Sequence, residues 1–335
     1  MTITIKDLAR MANTSTATVS RVLSGKPGVA EAKRKSIIQL AEKVGYTPNR
    51  IAQNLALKKS HVLGMIAADL SNPVYVEFFR YIQNRLQEQG YQVLISDSAL
   101  DVERERRNIA TMRENRVEGV IVFPVHDWHQ KTGVEQFLQL KLQKFPFVVV
   151  GKIDGYGFDS VTDEEVETSK VLTRHLIERG HKRIAFVGCD HENRCVEERM
   201  KGFTLALEEA GIDSASAPVI PIEGPDEESY EKSLRKLLER EDRPTALVLV
   251  NDIWALVTHH LLRDLGYEMP EDVALVSFGD ALWNRHVRPP VTSTRPRTNE
   301  VAYEALEMLM RRIENPEITS LQKTVPQEVI FRESS

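Results

Sequence analysis

From residue 62 onward, short apolar runs alternate with longer stretches of helical periodicity, and this rhythm strongly constrains the fold. The apolar runs are VLGMIAA (62–68), YQVLI (91–95), GVIVF (119–123), FVVVG (147–151), RIAFVG (183–188), PVIPI (218–222), TALVLV (245–250) and VALVSF (273–278). Such runs are typical of parallel strands buried on both faces, and the intervening stretches predict helices, among them 196–210, 227–239 and 253–265. Repeated βαβ units predict an α/β fold with doubly wound parallel sheets. Because about 270 residues exceed one comfortable core, we expect two similar lobes.

The charge of the chain is unevenly distributed. The 335 residues have a formal net charge of −5, which by itself argues against a nucleic-acid-binding protein. Residues 1–60, however, contain 11 Lys and Arg residues and three acidic residues, a surplus of +8 that leaves −13 for the rest. The basic segment is therefore a candidate for binding nucleic acid.

The cysteines and the N-terminus indicate the cellular compartment. Two cysteines, Cys189 and Cys195, make no disulfide framework, and no Cys/His cluster predicts a structural zinc. The segment MTITIKDLAR has no apolar core of a signal peptide, and no stretch approaches 18 apolar residues. We therefore expect a reduced, cytoplasmic protein without metal, cofactor or membrane association.

The basic segment predicts three short helices. Thr4 and Asp7 have the spacing of a capping box, and Ser15 is a natural N-cap for a helix from Thr16 to Leu23. Apolar residues from Ile37 to Val44 form the stripe of a third helix, which Gly45 ends. Two helices joined by a turn of about three residues indicate a helix-turn-helix.

These residues resemble the DNA-binding segment of the lactose-repressor (LacI/GalR) family. In the basic segment the resemblance is carried by Asp7, Ala9 and Ala12, by Thr18-Val19-Ser20-Arg21-Val22-Leu23 and by Gly45-Tyr46-Thr47-Pro48-Asn49. Further along, the chain adds Asp69-Leu70-Ser71-Asn72-Pro73, Arg179-Gly180-His181-Lys182-Arg183-Ile184, Arg199-Met200-Lys201-Gly202-Phe203 and Pro289-Pro290-Val291-Thr292. The resemblance covers nearly the whole chain.

The resemblance implies a particular domain order. A helix-turn-helix domain would occupy residues 1–46, a hinge helix and linker 47–60, and an effector-binding and dimerisation domain 61–331. In this last domain, like periplasmic sugar-binding proteins, the N-lobe would hold about 61–160 and 291–322, and the C-lobe about 161–290 and 323–331. Family members are typically homodimers that bind palindromic operator DNA and respond to a small effector.

A helix-turn-helix places the first residues of its second helix at base edges in the major groove. Here these are Thr16 and Ala17, followed one turn later by Arg21, which can bind guanine through two hydrogen bonds. The other candidates, suited to phosphate contact, are Ser15, Thr18, Ser20, Arg34 and Asn49. Alternatively, Thr18 and Ser20 only cover the helix surface.

The segment from Asn49 to Ala56 resembles the family's hinge helix. Eight residues are too few for a stable isolated helix, so we expect it to fold only on operator and against a partner copy. Leu55 matches the leucine that family members insert into the minor groove, although it could instead pack in a linker. Ala30 departs from the family, which usually has a serine cap at this position.

Ligands of open α/β sheets bind at the carboxyl ends of the strands. The polar residues that we expect there are Asp69, Asn72, Tyr75, Lys152, Arg199, Asn251, Asp252 and Asp280. Amides, carboxylates and a guanidinium group can bind neighbouring hydroxyls of a sugar-like effector. The resemblance favours Arg199 and Asn251, although Arg199 could form a structural ion pair and Asn72 could simply start a helix.

The resemblance implies a ligand-responsive transcriptional repressor, and other function classes fit the residues less well. The sequence contains no GxGxxG, GxxxxGK[ST], HExxH or GxSxG motif, so we expect no enzymatic activity. The closest rival is a stand-alone sugar-binding protein without sequence-specific DNA binding, which the basic helix-turn-helix disfavours. The sequence leaves open the effector's identity and whether the effector releases or strengthens DNA binding.

Overall fold

The computed structural model describes residues 3–46, 60–125, 133–153, 155–189, 194–214, 217–222 and 227–335. The chain divides into two compact units, Met1–Ser60 and His61–Ser335. We call the first the head and the second the body.

The described part of the head contains three helices, α1 Ile5–Met11, α2 Thr16–Leu23 and α3 Glu31–Lys43. Their apolar faces meet in one small core of Leu8, Ala9, Val19, Val22, Ile37 and Ala41. Lys33 links the third helix to the first, since its Nζ donates to the carbonyl oxygen of Ala12 at 2.7 Å. The sequence therefore predicted the helices of the head, including both ends of α2.

The helix caps of the head agree with the sequence analysis. Thr4 Oγ1 accepts the N–H of Asp7 at 3.3 Å, and the Asp7 carboxylate accepts the N–H of Thr4 at 3.1 Å, which completes the capping box. Ser15 Oγ accepts the N–H of Thr18 at 3.1 Å and caps α2. Ala30 gives α3 no side-chain hydrogen bond.

Two six-stranded sheets form the described part of the body. Their strands are β1 Val62–Ala67, β2 Gln92–Asp97, β3 Val120–Val122, β4 Phe147–Val150, β5 Ser160–Asp163, β6 Ile184–Cys189, β7 Val219–Ile222, β8 Ala246–Leu249, β9 Ala274–Ser277, β10 Thr292–Arg295, β11 Gln322–Val325 and β12 Glu328–Ile330. The first sheet has the order β11-β5-β4-β3-β1-β2, and the second has the order β12-β10-β9-β8-β6-β7. Neighbouring strands are parallel except β10 and β12, which are antiparallel.

Helices cover both faces of the first sheet. The helices of the body are α4 Pro73–Gln87, α5 Val102–Glu114, α6 Glu135–Leu142, α7 Glu165–Glu178, α8 Arg194–Glu209, α9 Glu227–Leu238, α10 Asp252–Asp264, α11 Leu282–His286 and α12 Thr298–Glu314. Successive residues of β1 lie in separate cores, because Met65 packs with α4 and α12 whereas Ile66 packs with α5 and α6. This arrangement confirms the predicted doubly wound α/β fold.

The chain passes between the two sheets three times, near Glu164, Pro296 and Pro326. The expected lobe boundaries were wrong in three short segments. Strand β5 extends to Asp163 in the first sheet, although residues from about 161 were assigned to the second lobe. Strand β10 lies in the second sheet, paired with β9 and β12, although residues 291–322 were assigned to the first lobe. Strand β11 pairs with β5 in the first sheet, although residues 323–331 were assigned to the second. Both strands are rich in polar residues, so neither produced a strand signal.

Candidate functional site

A cavity of about 270 Å³ lies in the body where the carboxyl ends of strands from both sheets meet. Its wall includes residues that directly follow β1, β3, β4, β8, β9 and β10. Parallel strands of an open sheet present their free carboxyl ends at one edge, which is where such sheets bind ligands. The cavity therefore lies in the region that the sequence predicted.

Seven of the eight predicted effector residues line this cavity: Asp69, Asn72, Tyr75, Lys152, Arg199, Asn251 and Asp252. Asp280 does not belong to the wall. Its carboxylate instead accepts hydrogen bonds from Arg295 at 2.7 Å and from Arg332 at 2.6 Å, and it forms a 2.8 Å ion pair with Arg285. Burial would raise the pKa of Asp280, but the hydrogen bonds from Arg295 and Arg332 hold it below its ordinary value.

The first-sheet side of the cavity is built from the turn between β1 and α4. Asn72 Oδ1 accepts the N–H of Val74 at 3.1 Å, so this side chain caps α4 in addition to facing the cavity. Asp69 accepts the N–H of Ser71 at 2.9 Å, which shapes the same turn. The ring of Tyr75 meets Phe123 edge-on, with centroids 4.6 Å apart, and burial raises the pKa of its hydroxyl. Tyr75 therefore offers a neutral hydroxyl and a fixed ring face.

Arg199 projects from α8 into the cavity wall and already binds a carboxylate. Its Nε and Nη2 donate to Glu165 at 2.7 and 2.8 Å, and its Nη1 donates to the carbonyl oxygen of Val250 at 2.6 Å. The guanidinium group also lies 4.4 Å from the centre of the Phe278 ring. Arg199 thus lines the cavity and forms an ion pair, with a residue of the neighbouring helix α7, and its contact with an effector stays a prediction.

The second-sheet side of the cavity is built around the start of α10. Asn251 caps this helix by accepting the N–H of Trp254 at 3.1 Å. The carboxylate of Asp252 accepts the N–H of Ala281 at 3.0 Å and a hydrogen bond from the Asn284 amide. Burial raises the pKa of Asp252 to about 7.

Gly279 fits this same corner because it lacks a side chain. A Cβ atom at Gly279 would lie 2.8 Å from the carboxyl carbon of Asp252, and the φ of +91° disfavours other residues. The glycine therefore leaves room for the Asp252 carboxylate beside β9.

The wall residues that the sequence analysis missed include Asp163, Glu165 and Gln327. Asp163 and Glu165 flank the first passage between the sheets, and Gln327 lies in the third. Burial raises the pKa of Asp163 to about 7, and the charge of Glu165 contributes to the increase. Neither β5, which ends at Asp163, nor β11, which precedes Gln327, is an apolar run, so the sequence analysis placed no strand end beside them.

In the head, the predicted base-reading residues share the outer face of α2. Thr16, Ala17 and Arg21 are exposed, whereas Val19 and Val22 on the opposite face are buried in the core. Ser15 is exposed, and Thr18 and Ser20 are half-buried. The hydroxyls of Ser15 and Thr18 are 2.9 Å apart.

Arg34 lies on α3 and contacts the backbone around the end of α2. Its Nη2 donates to the carbonyl oxygen of Lys26 at 2.5 Å, and its Nη1 to that of Val22 at 3.4 Å. Arg34 therefore fixes the loop that follows α2, and its contact with phosphate stays a prediction. Asn49 and Leu55 lie outside the described residues.

Among the described residues, no group of three or more His, Cys, Asp or Glu side chains could hold a metal ion. In the same part of the chain, no helix combines the length and apolar character needed to cross a membrane.

The fold is a two-lobed α/β body with a cavity, joined in one chain to a helix-turn-helix. Residues 4–49 match the family described as bacterial regulatory proteins, lacI family, and residues 173–335 match the periplasmic binding protein-like domain. The repressor PurR of Aliivibrio salmonicida (strain LFI1238) is 31% identical over 93% of this chain and 92% of its own length. Catabolite control protein A of Priestia megaterium is 30% identical over the full length of both chains. The chain belongs to the lacI family of bacterial regulatory proteins and is a transcriptional regulator.

A solved structure shows the same fold over the whole chain. The lac repressor dimer bound to operator and the anti-inducer ONPF superposes with a TM-score of 0.85, covering 100% of this chain and 99% of that one. The sequence identity is 20%, so this likeness concerns the fold.

Proposed function

We propose that this regulator is an effector-responsive repressor that binds a palindromic operator as a homodimer. The observation that carries the proposal is that seven predicted polar residues surround one cavity of the body. The head of the same chain also exposes the first residues of α2. One chain thus holds the two kinds of surface that an effector-controlled DNA-binding protein needs. Because operator DNA is in the bacterial cytoplasm, we propose that the protein acts there.

In the head, Thr16, Ala17 and Arg21 contact base edges in the major groove. Ser15, Thr18, Ser20, Arg34 and Asn49 bind phosphates and set the register of α2 on the duplex. Leu55 inserts into the minor groove at the centre of the operator and favours a step that unstacks easily. The exposed outer face of α2 and the surplus of +8 in residues 1–60 support this assignment.

In the body, a sugar or sugar derivative occupies the cavity. Asp69, Asn72, Tyr75 and Lys152 contact it from the first-sheet side, and Arg199, Asn251 and Asp252 from the second-sheet side. Because the wall combines residues from both lobes, a ligand that bridges them favours one arrangement of the lobes over another. The hinge helices of a dimer transmit that preference to the operator, and by linkage operator DNA changes effector affinity by the same factor.

The decisive experiment measures binding of the full chain to DNA. Fluorescence anisotropy with a labelled fragment of the protein's own promoter region should give saturable binding, with log K falling steeply against log salt concentration. A scrambled fragment should bind far more weakly. Equal affinity for both fragments would favour the stand-alone sugar-binding protein.

The effector can be sought separately by thermal shift with free sugars, sugar derivatives and purines. A ligand that binds the folded state raises the melting temperature by mass action. Repeating the anisotropy titration with each positive compound then determines whether it releases or strengthens operator binding.

A further inference from the structure

The cavity wall carries more carboxylates than cations. Its acidic side chains are Asp69, Asp163, Glu165, Glu198 and Asp252, and its cations are Lys152, Arg194 and Arg199. An anionic ligand entering this cavity would need a cation whose charge is not already balanced.

Each of the three cations lies beside a carboxylate. Arg199 and Glu165 form two parallel hydrogen bonds of 2.7 and 2.8 Å, and their side chains are only 15% and 6% exposed. Glu198 lies 3.2 Å from Nε of Arg194 and 3.9 Å from Nζ of Lys152, and Glu197, which is outside the wall, lies 3.3 Å from Nη1 of Arg194. The cations of the wall are therefore balanced before any ligand binds.

The bidentate pair leaves Arg199 with hydrogen-bond capacity but little net charge. A guanidinium group has five N–H donors, and the contacts to Glu165 and Val250 use three. The remaining two can donate to a hydroxyl oxygen. The pair thus suits a neutral polar ligand better than a phosphate group.

Two polar atoms of the wall point to the same ligand chemistry. Within the described residues, Oδ1 of Asp163 and Nε2 of Gln327 are buried and have no hydrogen-bond partner. An unsatisfied buried acceptor and an unsatisfied buried donor are both costly. A hydroxyl can satisfy either atom, and an ammonium group can satisfy Asp163, whereas a doubly ionised phosphate ester offers the Asp163 oxygen no donor.

We infer that Glu165 sets the charge selectivity of this cavity: by pairing with Arg199, it makes the cavity accept a neutral or positively charged polyhydroxylated ligand and exclude phosphorylated or carboxylated ones. The inference rests on the proposed effector role of the cavity and narrows it to a class of ligand. Glu165 is thus a specificity-determining residue, and Asp163 and Gln327 are additional ligand contacts.

The test uses inorganic phosphate as the probe and the full chain without DNA. Isothermal titration at constant ionic strength compares the wild type with Glu165→Gln, which keeps the size of the side chain and removes its charge. We expect Glu165→Gln to bind phosphate at least about tenfold more tightly than the wild type, because Arg199 gains an unbalanced charge. The double variant Glu165→Gln/Arg199→Gln should lose this gain.

Asp159→Asn is the matched control. Asp159 pairs with Arg312 at 2.8 Å, with side chains 5% and 15% exposed, and neither residue lines the cavity. Asp159→Asn removes the partner of Arg312, an equally buried arginine outside the cavity, and leaves the basic head unchanged. Its phosphate affinity should therefore stay at the wild-type value.

Two results would overturn the inference: phosphate affinity of Glu165→Gln equal to that of the wild type, or an equal gain in affinity in Asp159→Asn. If circular dichroism shows that Glu165→Gln is unfolded, Glu165→Ala replaces it, since this change also removes the charge that balances Arg199. Because the titration needs no DNA, failure of this inference and failure of operator binding are separate results.

Discussion

Arg332 donates from Nη2 to Oδ1 of Asp280 across 2.6 Å and so joins the segment after β12 to the end of β9. Arg285 and Arg295 approach the other oxygen of the same carboxylate at 2.8 and 2.7 Å. The Asp280 side chain is 2% exposed, so its charge is balanced by protein groups in place of water. Asp280 therefore stabilises the second lobe from outside the cavity.

Asp280→Asn should lower the free energy of unfolding by about 3 kcal/mol, because Arg332 would keep a buried charge without its partner. Urea denaturation followed by circular dichroism measures this change. Asp264→Asn is the control, since the Asp264 side chain is 52% exposed and lies 3.5 Å from His260. Equal, small losses in both variants would contradict the structural role of Asp280.

Arg21→Ala should weaken operator binding about 5- to 150-fold and relax the preference at one base pair, because a bidentate contact with guanine contributes roughly 1–3 kcal/mol. Arg10→Ala removes the same charge from α1, where the side chain is 81% exposed. Fluorescence anisotropy with a set of single-base operator variants measures the base preference of each variant protein. If Arg10→Ala changes the base preference as much as Arg21→Ala, Arg21 does not read the base.

Ala30→Ser should stabilise the head by about 1 kcal/mol, because α3 lacks a side-chain cap and Ala30 already has the extended backbone of an N-cap. Ala32→Ser places the same hydroxyl inside α3 and should cost a few tenths of a kcal/mol. Differential scanning calorimetry of the full chain follows the unfolding of the head. No difference between the two variants would refute the capping argument.

Glu105 makes the stability of the body depend on pH. It is fully buried, with Oε2 accepting the N–H of Val125 at 2.7 Å and Oε1 accepting the amide of Gln136 at 2.5 Å. Burial raises the pKa of Glu105 from 4.5 to about 8. Between these values the folded chain keeps a proton that the unfolded chain releases, so this contribution to stability is present below pH 4.5 and is lost as the pH rises towards 8.

Glu105→Gln should therefore reduce the dependence of the unfolding free energy on pH, since the amide stays neutral at every pH. The difference in unfolding free energy between variant and wild type should grow by up to about 1.4 kcal/mol per pH unit between pH 5 and 8. Glu103→Gln, whose side chain is 61% exposed in an ion pair with Arg106, is the control and should follow the wild type. If the unfolding free energies of Glu105→Gln and the wild type change in parallel with pH, Glu105 is not protonated in the folded chain.

The fold was predictable where local chemistry determines it. The buried strands β1 and β8 are continuous apolar runs, and the ends of α2 follow from Ser15 and the loop that begins at Ser24. Strands β10 and β11 read TSTR and QKTV, and only pairing with β9 and β5 makes them strands. Tertiary contacts outweigh propensity at these two positions.

The cavity was predictable in its location and less so in its charge balance. Positions after strand ends identified residues such as Asp69 and Asn251. The same rule placed Asp280 there incorrectly, because Arg332, which lies 52 residues further along the chain, holds its carboxylate elsewhere. The pairing of Glu165 with Arg199 likewise joins residues 34 apart, and no local pattern encodes it.

The three passages between the sheets also affect how the protein is made. Strand β11 completes the first sheet and β12 completes the second, and the two are only a few residues apart near the end of the sequence described here. During translation, β5 and β10 therefore stay at the edges of their sheets until β11 and β12 leave the ribosome. Exposed edge strands of this kind can pair with other nascent chains. A stop codon before residue 322 would consequently remove one strand from each sheet. Both lobes would then be incomplete, whereas in a chain with one sheet after the other only the second lobe would be affected.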